Sequence, residues 1–346
     1  MSTSAANMKV LGYCRAILTL TSILGINFTI KAQESKQGNT QNILPFLLIA
    51  PDARSAGMGE TGVGSSSDIN SIHWNAAKYA FSVEPSGVSL SITPWNRDLA
   101  EDMSFVYVSG FKKLAHMQVI AGSIKYFNSG QFDFSDLQGN KTSSYKPYDL
   151  SIDFAYIKKL SEVISISTTF KYIRSMYTAY EYVQGGTGSI SSIAADIGFL
   201  HQQPVRLFHN EGLLGLGINF SNIGPAIKYN LYSRPLPMNL RIGSAYTAYI
   251  DNSTELIVCF DINKLFADGI SDKINYSAGI EALLAKTISL RTGFFKSDNH
   301  PTVGDYLTAG MGVSVSKYKI DISYLVSFQK LNPVNNTIHY TIGYFF

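Results

Sequence analysis

From Gly87 onward the chain alternates apolar and polar residues with a period of two, which places successive side chains on opposite faces of an extended strand. In the last segment Ile338, Tyr340, Ile342, Tyr344 and Phe346 share one face, and Thr337, His339, Thr341 and Gly343 share the other. The segment before it sets Tyr318, Ile320, Ile322, Tyr324, Val326 and Phe328 against Lys319, Asp321, Ser323 and Ser327. A third opposes Leu214, Leu216, Ile218 and Phe220 to Gly215, Gly217, Asn219 and Ser221. A soluble sandwich alternates too. The distinguishing feature is the polar face, built from Gly, Ser, Thr and Asn as a watery lumen would be, while aromatic residues gather at strand ends.

The segments predicted as strands are 87–95, 103–112, 116–127, 149–159, 162–174, 192–201, 213–221, 239–250, 254–262, 275–284, 286–296, 306–316, 318–328 and 337–346. Most are near the roughly 9–11 residues that a tilted strand needs to cross a bilayer. Every second connection is long: 96–102, 128–148, 175–191, 222–238, 263–274, 297–305 and 329–336. The others are tight, and only 202–212 breaks the rule. Long loops on one rim and short turns on the other are the outer-membrane pattern. The fold class expected is therefore all-β: a transmembrane antiparallel β-barrel of about 14 strands with an N-terminal lumen plug. No stretch is apolar for the roughly 20 residues that a spanning helix requires.

Residues 1–32 read as a signal peptide, with Lys9 and Arg15 as the basic region, Ala16 to Ile26 as the apolar one, and a cleavage site near Ala32. The start is Met1 or Met8, since the seven residues before Met8 are polar and add nothing to this pattern. Asn27 and Lys31 cut the apolar run too short for a helical anchor. Residues 33–86 form a polar linker followed by the plug, and residues 87–346 form the barrel. The spacing of Trp74, Ala77, Lys78 and Phe81 predicts a helix over 70–81, with Asp68 as its cap.

Composition sharpens this picture. Charged residues make up 15 % of the chain, against roughly 25 % in a soluble domain, while Tyr and Phe number 21 and 20. The net charge of +3 comes from Lys9, Arg15 and Lys31, so the remainder balances 25 bases against 25 acids and nucleic acid is not an expected partner. Cys14 would leave with the signal, and Cys259 then acts as a lipid-facing or packed apolar group.

Gly57, Gly59 and Gly62 spell G-x-G-x-x-G, yet Pro51 interrupts the approach and no strand–helix units follow, so they read as a glycine-rich turn within the plug. The six histidines (73, 116, 201, 209, 300 and 339) show no metal-ligand spacing. His339 and Asp321 project to the lumen. No nucleophile elbow or carboxylate cluster is evident, and neither an enzyme nor a cofactor is expected. The outer loops hold Phe132, Phe134, Tyr145 and Tyr148, then Tyr177, Tyr180 and Tyr182, then Tyr229 and Tyr232. Such residues suit protein contacts and also interfacial girdles.

The stretch LLIAPDARSAGMGETGVGSSSDINSIHWNAAKYAF, residues 47–81, resembles the N-terminal signature of the PorV family of type IX secretion, within the wider long-chain fatty-acid transporter-like barrels. Thr93-Pro94-Trp95, Asp102-Met103, Ser221 to Pro225, Pro237 to Arg241 and Asn332-Pro333 to Thr337 extend the likeness. In place of the wider family's usual Asn-Pro-Ala stands Asn75-Ala76-Ala77. Asp52, Arg54, Gly57, Gly59, Trp74 and Asn75 are the plug-motif residues. The resemblance implies a non-enzymatic outer-membrane barrel that binds the C-terminal signal domains of secreted cargo. It would carry cargo from the type IX translocon to a sortase-like complex, which attaches it to lipopolysaccharide on the bilayer surface. The alternative is a channel for hydrophobic small molecules. The loop aromatics would contact cargo, and Tyr344 with Phe346 would form the signal read by the barrel-insertion machinery.

Overall fold

The computed structural model describes residues 44–95, 102–114, 117–136, 138–178, 187–207, 210–229, 232–266, 274–297, 304–328 and 334–346. The signal peptide, Cys14, the polar linker, Asn332-Pro333 and His116, His209 and His300 lie outside them. No helix among the described residues is long and apolar enough to cross a membrane. The crossing is made by strands.

Fourteen antiparallel strands close into a barrel. They are Ser86–Pro94, Ser104–Leu114, Gln118–Asn128, Tyr148–Lys159, Ile164–Thr178, Thr187–Leu207, Asn210–Ile223, Met238–Tyr249, Glu255–Phe266, Ile274–Leu284, Ile288–Lys296, Tyr306–Val315, Tyr318–Ser327 and Thr337–Phe345. Each predicted segment has one counterpart. The exception among the connections disappears, because the strands on either side of 202–212 run on to Leu207 and resume at Asn210. Polar Gln202 and Gln203 hid that continuation, since they carry no apolar alternation.

Closure brings the first strand against the last, with Val88 opposite Tyr344 and Leu90 opposite Ile342. The amide of Phe346 donates to the carbonyl of Ser86 at 3.1 Å. Pairing of the ends removes both sheet edges, which would otherwise present unpaired backbone groups to lipid. Alternation sets the faces: Ile320, Ile322, Tyr324, Tyr340 and Ile342 are exposed outward, whereas Asp321, Ser323, His339 and Thr341 are buried inward. Two of the long connections carry small sheets of their own, Phe132–Ser135 with Lys141–Tyr145 and Ile227–Tyr229 with Tyr232–Arg234.

Residues 44–85 pack against the inward face through short helical pieces at Pro45–Leu48, Ala53–Ala56, Ser71–Trp74 and Ala76–Phe81. The expected continuous helix over 70–81 is broken at Asn75, whose φ of −165° and ψ of 103° are extended. Its side chain explains the break: Oδ1 accepts from the Ala77 amide at 3.1 Å, and Nδ2 donates to the carbonyls of Val63 and Phe199. A short amide side chain that satisfies backbone groups competes with the helical ladder. Nor does Asp68 cap this segment; Asn70 occupies that position, and Asp68 accepts from the Asn70 amide in a turn preceding it.

Candidate functional site

The site is the contact between plug and wall, together with the outer rim above it. Asp52 starts the plug's first α-helical turn by accepting from the Ser55 amide at 3.0 Å through Oδ2. Its Oδ1 accepts from the Trp74 indole at 2.7 Å, tying the two helical portions together. Trp74 is fully buried, and the Arg241 guanidinium of the wall stacks 4.6 Å from its ring centroid. Lys78, equally buried, donates to the Gly62 carbonyl at 2.8 Å and to Ser65 Oγ at 3.0 Å.

Arg54 is the main polar link between plug and barrel. It grips Glu281 in a two-bond fork at 2.9 and 3.1 Å, pairs with Asp68 at 2.8 Å and donates to Ser66 Oγ at 2.8 Å. Glu281 is shared with Arg291, which reaches Asp321 at 2.7 Å. Further wall groups accept plug amides: Thr341 Oγ1 from Ala53, Thr308 Oγ1 from Gly59, and Asp261 Oδ2 from Gly62 and Val63. Elsewhere on the wall Lys125 pairs with Asp153 at 3.0 Å and Lys171 with Asp196 at 2.7 Å. Sequence reasoning read this face as mainly Gly, Ser and Thr, and the buried charges correct that reading. Most of these charges stand singly on the inward face of their strands, Lys319 beside Asp321 being an exception, so little in the local sequence announces the network; the available signal was charged residues set into otherwise uncharged polar faces.

The glycines of the wall have a different use from the hydrated lining expected of them. A Cβ on Gly293 would lie 2.2 Å from the Gly59 nitrogen and the Met58 carbonyl carbon. One on Gly279 would lie 2.4 Å from the Met58 oxygen, and one on Gly217 would lie 2.2 Å from the Val63 oxygen. Plug backbone lies directly against sheet backbone at these points, which only a residue without a side chain permits. Gly59 itself has φ +67° and faces the Phe294 backbone from the other side. The GMGETG turn is thus a packing device.

Burial of this network shapes its titration. Burial, with the Asp68 charge adding to it, pushes the Asp52 carboxyl up to about 6. Burial acts the same way on Asp68, but the Lys78 and Arg54 cations outweigh it and bring Asp68 down to about 2. Burial depresses His73 well below the ordinary imidazole range, so the plug holds it neutral at pH 7. Among the described residues no three His, Cys, Asp or Glu side chains are grouped to hold a metal ion. Cys259 is buried beside Ala245 and Ile257, the packed of its two expected environments.

The rim carries the loop aromatics. Phe132 is 51 % exposed and stands opposite Tyr145 in the small sheet of its loop, with Phe134 half-buried in the same sheet. Tyr148 begins a barrel strand and stacks on Tyr126 at 5.6 Å, a girdle position. Tyr177 lies on the extension of Ile164–Thr178; Tyr180 and Tyr182 lie outside the described residues. Tyr344 is half-buried between the rings of Tyr318 and Phe346, each 5.0 Å away. A cleft of about 520 Å³ opens at the rim between Ser189–Ile193 and Pro225–Ile227, with Tyr172 beside it.

Several solved barrels share this architecture. The Pseudomonas putida toluene transporter TodX superposes with a TM-score of 0.54 at 12 % identity, covering 84 % of this chain and 96 % of that one. The Ralstonia pickettii toluene transporter TbuX gives 0.55 at 11 % identity, with 88 % and 98 % covered. A TodX mutant described as a monoaromatic hydrocarbon channel gives 0.57 at 10 % identity, with 84 % and 96 % covered. These likenesses show that the chain shares the closed β-barrel fold of those proteins. No curated protein matches the sequence. The sequence does match the family described as "Type IX secretion system protein PorV" over residues 31–272, through the plug and nine of the strands. The chain belongs to the PorV family of type IX secretion outer-membrane β-barrels.

Proposed function

We propose that the protein is a non-enzymatic shuttle of type IX secretion, which binds the C-terminal signal domain of exported cargo at its outer rim. It takes cargo from the translocon and delivers it to the sortase-like attachment complex. The observation that carries this reading is the family match over residues 31–272. Two physical features support it. The plug is held to the wall by Arg54, Glu281, Asp261 and close glycine contacts, an arrangement suited to sealing a lumen. The rim projects a small sheet, Phe132–Ser135 with Lys141–Tyr145, beyond the barrel ladder. Exposed aromatics on such a sheet bury much area at low entropy cost when a protein docks.

The competing reading, a channel for hydrophobic small molecules, draws on the toluene transporters, which share the fold with this chain. A deletion strain separates the two. Secreted proteins held in the periplasm are the expected result. Normal secretion with lost uptake of a hydrophobic nutrient refutes the shuttle and favours the channel. Excising 132–145, which forms no part of the barrel ladder, is expected to weaken cargo binding while heat-modifiable gel mobility stays normal. Unchanged binding removes that loop from the cargo surface.

A further inference from the structure

The strand Thr187–Leu207 is longer than its neighbour. On one side it pairs with Ile164–Thr178 all the way out to Thr187. On the other, pairing with Asn210–Ile223 stops at Ala195, after an irregularity between Ala195 and Ile197. Among the described residues no strand pairs with Thr187–Ala194 on that side. Gly224 packs on the backbone of Ile193 and Ala194, which leaves the six residues Thr187–Ser192 as sheet edge, about 20 Å of strand.

The edge has a direction and a chemistry. The Ile193 carbonyl lies on the Gly224 side, where a Cβ on Gly224 would approach it to 2.4 Å. By the two-residue period, the backbone N–H and C=O groups of Ser189 and Ser191 point the same way, into the cleft between Ser189–Ile193 and Pro225–Ile227. Ser189, Ser191 and Ile193 are exposed. Natural edges are blunted by lysine, proline or an inward charge; TGSISS, residues 187–192, contains none of these. The cleft walls are Ser and Ile on one side and Pro, Ala and Ile on the other. An uncharged, extended polypeptide fits such a slot, because only a strand matches a ladder of alternating backbone donors and acceptors.

We propose that Thr187–Ser192 is a strand-addition site, at which an extended, uncharged segment of the cargo signal domain pairs with the backbone of Ser189 and Ser191. This deepens the shuttle reading and rests on it. Recognition through backbone groups would let one barrel accept many cargo sequences, with Ile190, Ile193 and Ile227 selecting alternate apolar side chains.

The test uses the full chain in detergent micelles and a purified C-terminal signal domain of a secreted protein from the same organism. Hydrogen–deuterium exchange over 187–192 is expected to slow on adding the domain. Ser191→Pro removes the edge amide without touching the ladder to Ile164–Thr178, and is expected to weaken binding about tenfold or more. Ala226→Trp, at an exposed position, fills the cleft and gives the same result should the proline variant assemble poorly. Binding without protection of 187–192, and undiminished in both variants, overturns the edge while leaving the shuttle intact. Wild-type protein that binds no signal domain overturns the shuttle, and the edge with it. Protection by empty lipid nanodiscs, or by self-association of the chain, assigns the edge to lipid or to a second copy and overturns the proposal.

Discussion

Replacing Arg54 by methionine removes the main polar link between plug and wall at nearly constant volume. Arg54 is 4 % exposed and makes five hydrogen bonds: two to Glu281, one to Asp68, and one each to the carbonyl and hydroxyl of Ser66. Glu281 keeps Arg291 after the substitution, whereas Asp68 keeps the Asn70 amide on Oδ1 and, on Oδ2, the more distant Lys78 ammonium, 4.0 Å away. Removal of one partner from a buried pair costs about 3–5 kcal/mol, because the remaining charge stays desolvated. At about 1.4 kcal/mol per decade, that multiplies the plug's opening equilibrium by roughly a hundred to a few thousand. Hydrogen exchange reads this constant directly. The amides of Ala53, Gly59, Gly62 and Val63, all bonded to wall side chains, are expected to accelerate by that factor. Amides of the strand ladder should not change. Acceleration below about tenfold, or equal acceleration in plug and ladder, refutes the view that Arg54 seats the plug independently of the barrel.

Gly293→Ala is expected to unseat the plug, since its Cβ would meet Met58 and Gly59 backbone at 2.2 Å; overpacking of this kind costs about 1–3 kcal/mol. Gly122→Ala meets only the Asp153 carbonyl at 3.5 Å and should leave limited proteolysis of the plug unchanged, so equal sensitivity in the two variants contradicts the close-approach account. Asp52 has a folded-state pKa of about 6, raised from 3.8. Its contribution to plug stability is therefore full below about pH 4 and lost as the pH rises through about 6. Plug exchange should quicken across that window in the wild type and less so in Asp52→Asn; parallel profiles would count against the assignment. Phe346, 56 % exposed beyond the last strand, should lower the amount of membrane-assembled barrel when replaced by Ser, measured by heat-modifiable mobility, while cargo affinity per folded molecule stays constant. Normal assembly dismisses its role as an insertion signal.

The barrel was legible in the sequence because one physical constraint acts on every strand: lipid outside and protein inside impose a period of two, seen at Tyr318–Ser327 and Thr337–Phe345. The fourteen strands follow from that pattern and from alternating loop lengths. What occupies the lumen was less legible, because small polar residues furnish a hydrated channel and a plug contact equally well. Gly217, Gly279 and Gly293 differ from a hydrated lining only once Met58, Gly59 and Val63 are laid against them. The charges behave alike. Glu281, Arg291 and Asp321 fall on three strands, and Arg54 lies 227 residues from Glu281, so no sequence window contains two directly bonded members across plug and wall. The same argument explains why the strand Thr187–Leu207 was predicted only as 192–201. Its outer end lacks the strong apolar alternation that lipid enforces, since Ser189, Ser191 and Ser192 border a cleft. Apart from the hairpin extension at Gln202–Leu207, the segments that escaped the period-two rule are those whose surroundings are protein or an open slot, and there a partner, internal or external, has to be sought.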